Sequence, residues 1–200
     1  MQDEDSIVRI STLGYALLAL LAREPLSGYD LAQRMKKPIG FFWQAQLSQI
    51  YPELARLEEQ GCLLHQVIAQ EGRPQKKLYT ITEAGQSALQ AWVTRPPPPA
   101  RERNELLLKT YAIWLADPQA ALELFETREQ FHAGRLALFE QIQASIEQES
   151  EGGPRPDKPL FGDYATVRRG VAYEREYMTW CRWVIQQLEQ TLTNQCQDCQ

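Results

Sequence analysis

Cysteine and histidine are scarce in this sequence, which limits the kinds of site it can build. Among 200 residues there are four cysteines and two histidines. The cysteines lack the spacing of a disulfide framework, so we expect reduced thiols. One pair, Cys196 and Cys199, has the two-residue gap of a metal or redox site, but no second pair or histidine accompanies it to complete a zinc site. The sequence therefore predicts no metal and no cofactor; a thiol- or metal-responsive regulator using this pair is the alternative.

Long apolar runs are also missing. The longest, Tyr15 to Ala22, is far shorter than the roughly 20 residues that span a bilayer. It lies behind an acidic start, Asp3-Glu4-Asp5, whereas a secretory signal begins with basic residues. We therefore expect a cytoplasmic protein that does not contact a membrane.

Catalytic motifs are absent from the sequence as well. His65 and His132 are accompanied by no serine or cysteine motif that resembles a nucleophile elbow. No glycine-rich loop of the kind that cradles phosphates is present. The sequence therefore predicts that the protein is not an enzyme.

The excess of negative charge is confined to one half of the chain. The formal net charge is −5, yet residues 1–95 contain ten basic and ten acidic residues, and residues 96–200 contain eleven and sixteen. Electrostatic attraction to phosphate fades over about 8 Å at physiological salt, so a local basic surface is sufficient to bind nucleic acid. Two basic clusters in the first half are predicted to contact phosphates, with solvation of exposed loops as the competing interpretation: Arg34, Lys36 and Lys37, and Arg73, Lys76 and Lys77.

The stretch FFWQAQLSQIYPELARLEEQG, residues 41–61, organises the first half. Ile50, Leu54 and Leu57 recur at helical spacing and form one apolar stripe, and Gly61 occupies a C-terminal cap position. Strand-like runs over residues 63–68 and 76–82, separated by a turn at residues 70–74, predict a β-hairpin. Upstream, residues 11–22 and 27–34 are predicted helices, the second with Ser27 as N-cap. The order of three helices and a hairpin is that of the winged helix-turn-helix.

In this arrangement the third helix meets the DNA major groove. Gln46, Ser48 and Gln49 are the candidates for reading base edges, and Tyr51 is suited to a phosphate contact. A solvated helix face is the competing interpretation. We expect the helix to begin near Ser48, which would place Pro52 in its first turn, where proline is tolerated; a kinked helix is the alternative.

Aromatic residues near this helix are expected to pack. Tyr29 and Leu31 are predicted to lie beneath the third helix, and Phe42 and Trp43 are expected in the core or at an interface. Aromatic residues at such spacing usually pack, which argues against a cofactor-stacking role for Phe42 and Trp43.

Four consecutive prolines, Pro96 to Pro99, form a stiff spacer, which predicts two domains, residues 1–95 and 96–200. Helical patterns in the second domain cover residues 102–115, 119–149 and 164–192. The last helix carries two apolar stripes, and two stripes need two partners, so we expect a dimer whose C-terminal helices pack across a two-fold axis. One stripe comprises Val167, Val171, Met178, Cys181, Ile185, Leu188 and Leu192, and the other Tyr173, Tyr177, Trp180 and Val184. The predicted fold class is mainly α with a small β-hairpin.

Four short motifs carry further information: SGYDL at Ser27 to Leu31, FW at Phe42-Trp43, SQIYPEL at Ser48 to Leu54, and LYTIT at Leu78 to Thr82. Together they resemble the PadR family of winged-helix transcription regulators over residues 11 to 93. RRGVAYEREYMTW, at Arg168 to Trp180, is similar to the helical C-terminal half of the longer family members. Relatives resemble SHSQIY where this chain has Gln46-Leu47-Ser48-Gln49, so the operator sequence is left open.

The resemblance implies a homodimeric repressor that binds a double-stranded DNA operator and dimerises through the C-terminal helices and the first helix. It also implies control by a small aromatic or apolar effector. Aromatic residues of the second half are predicted to line the effector site, with packing in the core as the competing interpretation: Trp114, Tyr177, Trp180 and Trp183. The alternative function is a helical protein-interaction adaptor that has kept the fold and lost DNA binding.

Overall fold

The computed structural model describes residues 10–36, 45–70, 73–99, 103–150 and 152–198, without the side chains of residues 70, 73, 74 and 195–198. The chain forms two compact units, Met1–Pro98 and Pro99–Gln200, called here the N-terminal and C-terminal units. Several sequence predictions fall outside the described part: those for Lys37, Phe42, Trp43, the Arg73 side chain and the Cys196 and Cys199 pair.

The N-terminal unit contains four helices and three strands in its described residues. In chain order they are α1 (Thr12–Leu21), β1 (Leu26–Ser27), α2 (Gly28–Arg34), α3 (Leu47–Glu59), β2 (Leu63–Gln70), β3 (Arg73–Ile81) and α4 (Glu83–Val93). Hydroxyl groups cap three of the helices. Ser11, Ser27 and Thr82 each accept a hydrogen bond from the backbone N–H three residues later, which satisfies a donor that the helix leaves unpaired. The predicted N-cap at Ser27 is confirmed.

The core of the N-terminal unit is built around α3. Its apolar stripe, Ile50, Leu54 and Leu57, is fully buried, as the sequence predicted, and packs with Leu17 and Leu18 of α1. Burying a side chain of this size contributes about 2 kcal/mol. Helix α4 also packs against this core, since the rings of Tyr15 and Trp92 stack with centroids 4.6 Å apart.

Gly61 ends α3 as predicted. Its φ of 69° lies in the left-handed region, where a side chain is strained. The Gly61 N–H donates to the Glu58 carbonyl and the Cys62 N–H donates to the Leu57 carbonyl, which is the Schellman pattern. The chain then enters β2 immediately, so the position of the hairpin is fixed by the end of α3.

The three strands form an antiparallel sheet in the order β1-β3-β2. In the hairpin Leu63 pairs with Ile81 and His65 pairs with Tyr79. The predicted hairpin is therefore present, but it is joined by β1, in which Leu26 pairs with Tyr79. The sequence did not predict β1 because two residues are too few to show an alternating pattern.

The prediction for Pro52 was wrong. Helix α3 begins at Leu47, one residue before the expected start, and Pro52 is its sixth residue, inside the helix instead of in the first turn. Proline has no amide hydrogen, so Pro52 cannot donate to the Ser48 carbonyl in the i to i−4 pattern. The helix nevertheless continues to Glu59, because its buried stripe holds both sides of the proline in place.

The C-terminal unit is helical throughout its described residues. It comprises α5 (Glu105–Tyr111), a 3-10 turn (Ile113–Leu115), α6 (Pro118–Glu149) and α7 (Pro159–Asp198). The first predicted segment is thus broken after Tyr111, and the last starts five residues before the predicted position 164, with Pro159 in the first turn. Helices α6 and α7 are antiparallel, because Glu129 pairs with Arg182 at one end and Glu147 accepts from Tyr164 at the other.

Helix α7 buries one broad face. Val167, Val171, Met178 and Cys181 of the first predicted stripe are buried, and so is Val184, which the sequence analysis placed on the second stripe. Glu174 is buried among them, a position that no apolar pattern could predict. None of the described helices is both long enough and apolar enough to cross a membrane.

Candidate nucleic-acid interface

The first turn of α3 presents polar side chains to solvent. Gln46 is its N-cap, and Gln46, Ser48 and Gln49 are all exposed, as their proposed role requires. The backbone N–H of Gln46 donates to Oε1 of Gln49 at 3.0 Å. Gln49 therefore closes its own helix with its carbonyl oxygen, while the other end of its amide carries two donors that can meet a base edge.

A carboxylate one turn after Gln49 anchors α3 to α1. Oε1 of Glu53 accepts a hydrogen bond from the Ser11 hydroxyl at 2.6 Å and from the Arg56 guanidinium at 2.7 Å. Since Ser11 is also the N-cap of α1, this contact joins the start of one helix to the middle of the other. The exposed first turn of α3 is thus held on a rigid support.

Beside α3 lies an open groove of about 710 Å³ between the start of α2, the middle of α3 and the strand β3. We call it the α2–α3–β3 groove. Three of the predicted site residues, Tyr51, Lys76 and Lys77, line it. The other lining residues are Ser27, Gly28, Tyr29, Ala55, Gln75 and Tyr79.

Lys76 is held at the edge of this groove by the first turn of α2. Its Nζ lies 2.8 Å from Oδ2 of Asp30, which also accepts the Ser27 hydroxyl at 2.7 Å. These hydrogen bonds lower the pKa of Asp30 below its ordinary value of 3.8. The bond from Lys76 has the larger effect and the bond from Ser27 the smaller. The Asp30 carboxylate is therefore ionised at neutral pH, and the Lys76 ammonium keeps two further donors for another anion.

The remaining predicted basic residues with described side chains lie at the end of α2. Arg34 is paired with Glu24 at 2.5 Å, and Lys36 is exposed. Neither lines the α2–α3–β3 groove. The structure therefore separates the predicted basic residues with described side chains into two sites, one at the end of α2 and one on β3, in the half of the hairpin nearer its tip.

The prediction for Tyr29 was wrong. This residue was expected beneath α3 with Leu31, but only Leu31 is buried, whereas Tyr29 is 60% exposed and lines the groove. Both residues belong to one short helix, and helical periodicity puts residues two apart on different faces. Helix α2 has only seven residues, about two turns, which left too little pattern to choose which of them faces inward.

The four aromatic residues proposed for an effector site differ in burial. The rings of Tyr177 and Trp180 contact each other edge to face at 5.3 Å and pack against the cluster that contains Phe125 and Cys181. Trp114 and Trp183 are exposed. The structure thus brings two of the four together, both half-buried against the core of the C-terminal unit.

The described thiols are poorly suited to redox sensing. Cys62 and Cys181 are buried free cysteines. Burial raises the pKa of Cys62, and it raises the pKa of Cys181 to about 11 with a further contribution from Glu129. Both are protonated at neutral pH. Among the residues that the structure describes, no group of histidine, cysteine and acidic side chains is arranged to hold a metal ion.

A three-helix core with an exposed third helix followed by an antiparallel hairpin is a winged helix-turn-helix, here followed in the chain by a helical C-terminal unit. Residues 17–91 match the Transcriptional regulator PadR-like family, and residues 102–189 match the Virulence activator alpha C-term family. The chain is 33% identical over 182 residues to the Negative transcriptional regulator PadR of Bacillus subtilis, an alignment that covers 88% of this chain and 97% of that relative. The chain therefore belongs to the PadR-like family of transcriptional regulators, which are not enzymes.

Solved structures of the Bacillus subtilis protein have the same fold as this chain. The crystal structure of PadR in complex with operator DNA matches with a TM-score of 0.81 and 30% identity, covering 89% of this chain and 99% of that chain. The crystal structure of PadR in complex with p-coumaric acid matches with a TM-score of 0.73 and 31% identity, covering 90% and 99%. The predicted fold class and the predicted family are both confirmed.

Proposed function

We propose that this chain is a homodimeric repressor that binds a double-stranded DNA operator through α3 and strand β3 of the hairpin. The observation that carries the proposal is the exposed first turn of α3, where Gln46, Ser48 and Gln49 are held outward by a buried stripe and by Glu53. The major groove is about 12 Å wide and admits such a helix. Support comes from the relative that was crystallised with operator DNA.

In the proposed complex the first turn of α3 contacts bases, and residues of the α2–α3–β3 groove contact phosphates. Gln46, Ser48 and Gln49 read base edges, while Tyr51, Lys76 and Lys77 contact phosphates. Arg34 and Lys36 at the end of α2 contact phosphates as well, as do Lys37 and Arg73. Two such units in a dimer place their recognition helices about 34 Å apart on a pseudo-palindromic site.

Residues 1–95 are proposed as the DNA-binding domain and residues 96–200 as the dimerisation and effector domain. The exposed apolar side chains of α5 and the 3-10 turn support this assignment, because monomeric proteins rarely leave such patches uncovered. These side chains are Leu107, Leu108, Tyr111, Trp114 and Leu115. The first helix, α1, is proposed to add a smaller contact.

Repression and its relief are proposed from the relatives. The Bacillus subtilis protein is a negative regulator, and it was crystallised with p-coumaric acid, an aromatic acid. We propose that a small aromatic or apolar compound releases the operator in this protein also, with Trp114, Tyr177, Trp180 and Trp183 as candidates for the effector site. The proposed location is the cytoplasm.

Fluorescence anisotropy with duplex DNA over a range of salt concentrations tests DNA binding. Replacing Lys76 and Lys77 with alanine is expected to weaken binding to every duplex and to reduce the slope of log affinity against log salt by about 2, because two phosphate contacts are lost. Lys158→Ala, in the C-terminal unit, is the matched control and should change neither quantity. A wild-type protein with no duplex affinity at low salt would contradict the proposal and favour an interaction adaptor.

The reading residues are tested by selecting duplexes from a random library. Gln49→Ala is expected to change the preferred sequence, whereas the lysine variants should keep it. Gln49→Glu is the informative companion, because its carboxylate can still accept from the Gln46 amide and so preserves the helix start. An unchanged preference in both Gln49 variants would remove this residue from the reading set.

A further inference from the structure

Because Gly28 of α2 has no side chain, it leaves room for the Tyr51 ring of α3. A Cβ atom added at this position would lie 2.5 Å from Cε1 and 3.0 Å from Cζ of Tyr51. The ring of Tyr51 therefore lies directly against the backbone of the first residue of α2. No side chain larger than hydrogen is compatible with this position of the ring.

The backbone conformation does not require glycine at position 28. The described glycines with positive φ are Gly61, Gly152 and Gly153, and Gly28 begins a regular helix. Alanine is the better helix former, so helix propensity does not favour glycine here either. The contact with Tyr51 is thus the physical reason for glycine here.

Two tyrosines and a lysine meet at this place. Tyr29 and Tyr51 are 60% and 50% exposed and line the same groove, and the Lys76 ammonium is tethered beside them by Asp30. Phenolic hydroxyls and an ammonium can donate hydrogen bonds to the unesterified oxygens of a phosphodiester. The apolar faces of the rings and Ala55 can pack against the adjoining deoxyribose.

From this geometry we propose that the α2–α3–β3 groove binds one phosphodiester of the DNA backbone, with Tyr29 as an additional contact residue and Gly28 as a positioning residue for Tyr51. The inference rests on the proposed function and adds two residues to it. The site carries no sequence information, because every nucleotide has the same phosphate. It fixes the depth and angle at which α3 enters the major groove.

The first test is a double-mutant cycle on duplex affinity, measured with a short duplex that the wild-type protein selects from a random library. Gly28→Ala is expected to weaken binding by roughly 2- to 10-fold, the effect of one hydrogen bond, while the circular dichroism spectrum is unchanged. In a Tyr51→Ala background the same change should have no effect, because no ring is left to displace. An equal loss in both backgrounds would overturn the positioning role.

The second test concerns Tyr29. Tyr29→Phe removes only the hydroxyl and should weaken binding to the selected duplex and to a scrambled duplex by the same factor, roughly 2- to 10-fold. Tyr173→Phe, in the C-terminal unit, is the matched control and should bind like the wild type.

A set of duplexes, each with one phosphodiester replaced by a methylphosphonate linkage, locates the contact. Replacement at one position should weaken duplex binding by the wild-type protein and have little further effect on duplex binding by the Tyr29→Phe and Gly28→Ala variants. If the wild type binds DNA and the Tyr29 and Gly28 variants bind equally well, only this inference fails. If the wild type itself does not bind, the proposed function fails with it.

Discussion

Glu174 is a carboxylate inside the C-terminal unit, with a side chain that is 1% exposed. Its Oε2 is hydrogen-bonded to Nδ1 of His132, and its Oε1 accepts a hydrogen bond from Nε of Arg135 at 2.6 Å. The ring of His132 stacks on Tyr177 at 3.9 Å, which holds the imidazole in place. A buried charge of this kind is tolerated only because its partners are present, so the cluster specifies how α6 and α7 align.

Removing one partner of Glu174 is expected to be costly. Arg135→Met should lower the free energy of unfolding by about 3 kcal/mol, because it leaves a buried carboxylate with one partner fewer. Arg175→Met is the matched control, since Arg175 pairs with Glu140 on the surface at 2.7 Å, where such a pair contributes about 0 to 1 kcal/mol. Urea denaturation measures both; equal losses would show that the buried position of Glu174 has no special effect.

Asp30 provides a test of the contact between α2 and the hairpin. Because its pKa is lowered in the folded protein, the stabilisation it provides is present above its ordinary pKa of 3.8 and is lost as the pH falls through the lower, folded value. We expect NMR titration of the carboxyl group to give a midpoint below 3.8, and Lys76→Ala to move that midpoint upward. A midpoint that does not respond to Lys76→Ala would show that the ion pair is not formed in solution.

Among the elements, those that begin with a hydroxyl cap were the most predictable. Ser11 and Ser27 mark the starts of α1 and α2 because the cap is a local interaction that needs no distant partner. The start of α7 at Pro159 and the short strand β1 were missed, since the first has no polar cap signal and the second depends on pairing with β3. Tyr29 and Glu174 were missed for the same reason: tertiary packing decides which face of a helix is inside.

Alanine substitutions at two glycines, one at the end of α3 and one in the middle of α6, are expected to have opposite effects on stability. Gly61→Ala is expected to lower the free energy of unfolding by about 1 kcal/mol, because its φ of 69° strains a side chain although nothing lies within 4 Å. Gly134→Ala, which also meets nothing within 4 Å, should raise that free energy by about 1 kcal/mol, because position 134 lies in a regular helix. Thermal and urea unfolding should show opposite signs; a stabilising Gly61→Ala would contradict the assigned helix end.

At the scale of the whole molecule, the two halves of the chain differ in charge. The basic residues proposed for DNA lie in the N-terminal unit, whereas the acidic excess lies in residues 96–200. We expect this acidic excess to disfavour DNA contacts by the second unit. This division could be predicted from the sequence, because it depends on composition alone.

The proposed dimer is tested through α5 and the 3-10 turn. Tyr111 and Trp114 are 87% and 79% exposed, so a charge at either position should not disturb the fold of one chain. Changing both to glutamate is expected to convert a dimer to a monomer in sedimentation velocity and to weaken operator binding, since two half-sites are then bound independently. Thr127→Glu, at an exposed position on α6, is the control. A wild-type protein that sediments as a monomer would contradict the proposed assembly.

The capping bond between Gln49 and Gln46 restricts how such a regulator can acquire new target genes. The same amide oxygen that starts α3 belongs to a side chain proposed to read DNA. A substitution there is expected to alter recognition and helix nucleation together, so few replacements are compatible with this position, and glutamate is the one that retains the cap. Divergence of targets within such regulators is therefore expected to proceed through Ser48 more readily than through Gln49.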